Sequence, residues 1–138
     1  TKNRALNAVA VLVFDGQVAS RLPYLMKRGG QVLSKARFVS AQLERYLGYD
    51  LWLARARESN AHARRLAQRL QLLRGVEIVG RVDINMLFTR LPPAALAALD
   101  QGPFRYYKLG LEQRFVCRHD QEQAGLDALV ATIAAAVA

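Results

Sequence analysis

The chain has 138 residues, enough for one ordinary domain with its own core. Hydrophobic residues make up 52% and charged residues 22%, which excludes a disordered tail; the longest apolar run, residues 8–14, is strand-sized and excludes a membrane-spanning helix. The net charge of +9 is uneven, since residues 1–75 carry 14 Lys and Arg against 4 Asp and Glu, whereas residues 76–138 carry 6 against 7. A basic half of this kind suits an anionic cofactor, a nucleic acid, an acidic partner or plain solvated helix faces. The single cysteine, Cys117, excludes an internal disulfide. With no signal-peptide pattern either, a cytoplasmic location is expected.

In chain order, Thr1-Lys2-Asn3 is a short polar loop ahead of the apolar run 9–14. That run is continuously apolar and rich in β-branched residues, so it predicts a strand buried on both faces, with no evident partner in the chain. A lysine just before a rigid strand suits a Schiff-base role toward a cofactor. Residues 17–27 predict a helix, with Pro23 against its regularity, and Lys27-Arg28-Gly29-Gly30 a basic loop. Val32, Ala36, Val39, Leu43 and Tyr46/Leu47 fall at helical spacing, ended by Gly48. Asp50 reads as the N-cap of a second long helix running to about Arg74, with the stripe Leu51, Ala54, Ala63, Leu66, Leu70 and Leu73.

The texture then changes to strands at 76–79 and 84–91 and a short helix opened by Pro92-Pro93. Strands follow at 104–108 and 113–117, joined through Leu109-Gly110-Leu111. Asp120 and Gln123 have the spacing of a capping box before a last helix bearing Leu126, Leu129/Val130, Ile133 and Val137 on one face. Helices followed by a small antiparallel sheet predict α/β organisation overall, α+β in the C-terminal part. His62 reads as surface or packing, and Trp52, Tyr106 and Tyr107 as core aromatics. No metal or nucleotide motif is present.

Four stretches together carry a family resemblance: Thr1-Lys2-Asn3, Lys27-Arg28-Gly29-Gly30, residues 33–43 (LSKARFVSAQL) and residues 85–92 (NMLFTRLP). With Arg114-Phe115-Val116-Cys117 and the closing helix, they resemble the low-specificity threonine aldolases. These belong to the β-eliminating lyase group of fold-type I pyridoxal-phosphate enzymes. The resemblance implies a fragment of that transferase-like fold: residues 1–48 as the end of the large cofactor-binding domain and 49–138 as the small C-terminal domain. It further implies cleavage of L-threonine or allo-threonine type β-hydroxy-α-amino acids to glycine and an aldehyde.

By resemblance, Lys2 matches the lysine that holds pyridoxal 5'-phosphate, and Arg114 the arginine that binds the substrate α-carboxylate. Lys27, Arg28 and Arg37 match basic residues near the cofactor phosphate or the site entrance. A homo-oligomer, dimer or tetramer, is implied, with no membrane and no nucleic acid as partner. Arg4 departs from the family's usual glycine, and Arg118-His119 from a small polar then an aromatic or apolar residue. The other family determinants fall in an N-terminal half that this chain lacks, so the chain alone is expected to be inactive. Two readings stand beside this one: a basic helical module binding nucleic acid or an acidic partner, and an inactive truncated remnant.

Overall fold

The computed structural model describes residues 10–138, so Lys2, Arg4 and the first residue of the expected opening strand lie outside the described residues. The chain divides into two compact units, Thr1–Trp52 and Leu53–Ala138.

The first unit contains α1 (Gly16–Arg28) and α2 (Arg37–Gly48). Asp15 caps α1: its carboxylate Oδ1 accepts from the backbone N–H groups of Gln17 at 2.8 Å and Val18 at 3.0 Å. Two of the orphan donors of the first turn are thereby satisfied. Lys27 and Arg28 occupy the last turn, where positive charge complements the helix dipole. Pro23 is accommodated inside α1, at the cost of the N–H that would have bonded back one turn.

Two expectations for this unit are corrected. Residues 10–14 form no strand, and all but the half-buried Val13 are exposed, with Phe14 at 95%. A strand requires a neighbour to take its N–H and C=O groups, and none pairs with this run among the described residues. The helix expected from Val32 begins only at Arg37, because Lys35 takes the left-handed backbone (φ 58) and interrupts the helical run.

The second unit is built on α3 (Leu51–Leu70), whose residues from Leu53 onward belong to it. Then follow β1 (Glu77–Val79), β2 (Met86–Arg90), α4 (Pro93–Gln101), β3 (Tyr107–Leu109), β4 (Glu112–Val116) and α5 (Gln123–Val137). The strands form one antiparallel sheet in the order β1-β2-β4-β3. This mixed helix and antiparallel-sheet architecture agrees with the α+β expectation.

Alternation along the strands decides the core. Leu87 and Thr89 of β2 and Gln113 and Phe115 of β4 are buried, while the residues between them are not. That face packs with Ala63, Leu66 and Leu70 of α3, Ala95 and Leu99 of α4, and Leu126, Leu129, Val130 and Ile133 of α5. Each fully buried leucine contributes about 1.5–3 kcal/mol by leaving water. The buried Gln113 amide is satisfied: its Oε1 accepts from Leu91 N–H at 3.0 Å and its Nε2 donates to the Leu111 carbonyl at 3.2 Å. One side chain thus ties the entry of α4 to the β3–β4 hairpin.

Helix boundaries here correct three further expectations. Asp50 lies at φ 52, not in the extended backbone of an N-cap residue. α3 ends at Leu70, and the chain turns through residues 71–75 to Gly75 at φ 72, whose added Cβ would sit 3.1 Å from Pro92. The Asp120–Gln123 capping box does not form. Asp120 instead takes a two-point contact from Arg118, at 2.9 and 2.7 Å, and Gln123 bonds forward to Asp127 at 3.0 Å.

Candidate functional site

The face of the sheet opposite the core carries the candidate site. Because β3 and β4 are joined through two residues, Gly110 (φ 61) and Leu111, Leu109 pairs with Glu112 and Tyr107 falls opposite Arg114. Across the next ladder Arg114 pairs with Phe88, and Phe88 with Val79. One row across this face therefore reads Val79, Phe88, Arg114, Tyr107. The flanking rows hold Met86 with Val116 on one side, and Glu77, Arg90, Glu112 and Leu109 on the other.

Arg114 is half-buried in the middle of that row. Its guanidinium lies over the Tyr107 ring, 4.2 Å from the centroid, a cation–π stack that covers one face of the planar fork. Its Nε is buried and has no hydrogen-bond partner. Among the described residues no carboxylate pairs with it. A buried N–H with no acceptor is costly to the fold. A carboxylate matches the fork in charge and in two-point geometry.

One turn of the pleat away, Arg90 is fully engaged. Its Nη1 donates to both oxygens of Glu77 at 3.0 and 3.1 Å, and its Nη2 to Glu112 at 3.1 Å. These contacts raise its pKa, Glu77 most and Glu112 next. The network spans three strands through β1, β2 and β4.

The remaining predicted site residues lie in the first unit. Lys27 and Arg28 are adjacent in the last turn of α1 and exposed. Arg37 opens α2, exposed, with its guanidinium 4.8 Å from the Phe38 ring centroid. Lys2 lies outside the described residues.

His62 is buried, and its Nδ1 donates to the Arg118 carbonyl at 2.9 Å, so that nitrogen carries the proton and the ring ties α3 to the segment after β4. Asp100 accepts from Tyr106 Oη at 2.6 Å and Lys108 Nζ at 2.5 Å, which holds its carboxyl below the ordinary carboxylate range, Lys108 first and Tyr106 second. Burial pushes the Cys117 thiol up to about 11, which leaves it protonated and unreactive at neutral pH.

Sequence reasoning singled out Arg114 by resemblance and assigned Tyr107 to the core, whereas the Tyr107 side chain is exposed. The Gly110 connection, taken as a two-residue hairpin loop, carried the signal that sets the two side by side. The pairing of Arg90 with both Glu77 and Glu112 required the strand order, which no local pattern encodes.

No protein-family model matches the chain. Two curated proteins are similar to it, both named low specificity L-threonine aldolase. That of Pseudomonas sp. (strain NCIMB 10558) is 34% identical over 137 residues, 98% of this chain and 40% of its own length. That of Pseudomonas aeruginosa is 34% identical over 124 residues, 88% of this chain and 36% of its own. The resemblance read from the motifs is borne out. The chain spans less than half the length of these relatives, as a C-terminal portion of such a protein would.

Proposed function

We propose that this chain is the C-terminal portion of a pyridoxal-phosphate-dependent lyase that cleaves β-hydroxy-α-amino acids of the L-threonine or allo-threonine type to glycine and an aldehyde. The observation that carries the reading is Arg114: a guanidinium stacked on Tyr107, with a buried and unpartnered Nε, on the open face of the sheet. It stands in a chain similar over nearly all its length to proteins named for that activity.

In this reading Arg114 takes the substrate α-carboxylate through two parallel N–H···O contacts. Two contacts fix the plane of the carboxylate and so limit rotation about the bond to Cα, which orients the bond to be broken. Lys2 would hold the cofactor covalently. The cations Lys27, Arg28 and Arg37 have the charge that a phosphate group requires, and their exposed ends suit an anion that approaches from outside the unit. Pyridoxal phosphate, when bound, supplies the electron sink for carbon–carbon cleavage. The two units then correspond to the end of the large domain and the small C-terminal domain of a fold-type I enzyme, in a cytoplasmic dimer or tetramer. Residues beyond this chain complete the site, so the chain by itself has no aldolase activity.

The test is borohydride reduction of the complete gene product with pyridoxal phosphate, followed by peptide mapping, together with Arg114→Ala kinetics. The expected results are a reduced adduct on Lys2 and a loss of kcat/KM for L-threonine of about a hundredfold, the scale of a lost charged two-point contact. An adduct on another lysine, or an Arg114→Ala enzyme with unchanged kcat/KM, overturns the assignment.

A further inference from the structure

We infer that Arg90 is a positioning residue for carboxylate binding: by holding Glu112, it keeps an internal carboxylate off Arg114. The inference rests on the reading of Arg114 given above and extends it to a residue that has no contact with substrate.

Glu112 and Arg114 lie on the same strand and the same face, two residues apart, or about 6–7 Å along the strand. Both side chains are long enough to meet across that spacing. The open face thus carries a carboxylate within reach of the very guanidinium that is unpartnered. It does not use it, because Arg90 donates to Glu112 from the neighbouring strand at 3.1 Å and to Glu77 from the same guanidinium. Glu77 lies directly opposite Arg90 in the register and anchors it from the far side. Two carboxylates and two guanidiniums share this face, and one guanidinium takes both carboxylates. The other is left with only the Tyr107 ring beneath it. With Arg90 removed, the nearest cation to Glu112 on this face is Arg114. An internal ion pair at that spacing competes with any external carboxylate by mass action.

The experiment uses the complete gene product with cofactor bound, and glycine as the probe. Calorimetric titration at about 0.5 M salt, where long-range fields are screened, compares the parent with R90M, R90M/E112Q and R114A. In R90M the glycine Kd rises about tenfold, as expected for a new internal competitor worth ~1.4 kcal/mol. In R90M/E112Q the competitor is gone and Kd returns to within about twofold of the parent. The KM for L-threonine follows the same pattern while kcat stays level, the signature of altered ground-state binding. Any loss of stability from the missing network is shared by R90M and the double variant, so it does not account for a binding loss confined to one. R90M binding like the parent, or a double variant as weak as R90M, overturns the inference. R114A binding glycine like the parent sinks the carboxylate assignment instead, so the two failures are distinguishable.

Discussion

The two units of this chain are written in the same alphabet of helical and apolar patterns, yet they end differently. In the second unit the patterned residues close on one another: Leu66, Leu70, Leu87, Leu99, Leu126 and Ile133 are nearly or fully buried. In the first, neither α1 nor α2 has a buried residue, and Leu12, Phe14, Tyr24 and Leu33 are more than half exposed. Amphipathic periodicity specifies an element and which of its faces seeks cover. It does not supply the cover, and most of a helix's stability in a protein comes from that cover.

The sharpest way to break this comparison is to cut each region at its most telling apolar side chain. Leu99→Ala, at 0% exposure, is expected to lower unfolding stability by about 2–5 kcal/mol, the range for a buried leucine that leaves a cavity. Phe14→Ser is expected to change it by less than about 0.5 kcal/mol. Urea denaturation of both variants measures the difference. Equal losses would mean that the first unit has a core of its own.

Next in size is the shielding of Cys117. Burial and a thiol raised to about 11 predict iodoacetamide labelling at pH 8 at least a hundredfold slower in the native chain than in the urea-unfolded one. Native labelling at the unfolded rate would place the segment after β4 outside the protected core.

The smallest effect is the pH dependence. The depressed carboxyls are Asp100, held by Lys108 and Tyr106, and Asp127, held by Gln123 first and by Arg69. A carboxyl with a lowered folded pKa stabilises the fold fully above its unfolded value, about 3.9, and that contribution is lost as pH falls through the folded value. The second unit is therefore expected to weaken below about pH 4, modestly, because these groups are solvent-screened. Urea midpoints between neutral pH and pH 3 measure it, and the Asp100→Asn and Asp127→Asn pair should flatten the fall. An unchanged slope in that double variant would assign the acid sensitivity elsewhere.

Much of the second unit was legible because each local signal agreed with its tertiary setting. Pro92-Pro93 opens α4, and Leu126, Leu129, Val130 and Ile133 define the buried face of α5. Legibility failed where a local signal had a stronger competitor. Asp120 has the spacing of a cap but finds Arg118 two residues back, and two contacts between opposite charges outweigh a single bond to a backbone N–H. Residues 10–14 have the composition of a buried strand, but composition specifies a demand for neighbours and not their presence. Arg114 was singled out through its family motif. Its stack on Tyr107 was missed because an aromatic residue beside a strand is first read as core.

The strict inside–outside alternation of β4 has a consequence for folding fidelity. If β4 slipped by one residue against β2, Arg114 and Glu112 would enter the core, and Phe115 and Gln113 would face out. Burying a guanidinium without a partner costs more than any single apolar contact can return. Arg114 therefore proofreads the hairpin as the sheet assembles, whatever it later binds. An apolar substitute such as methionine would remove that safeguard, because a slipped register would then bury it without penalty. The requirement for a charge on this face narrows the set of residues that evolution or an engineer can place at this position.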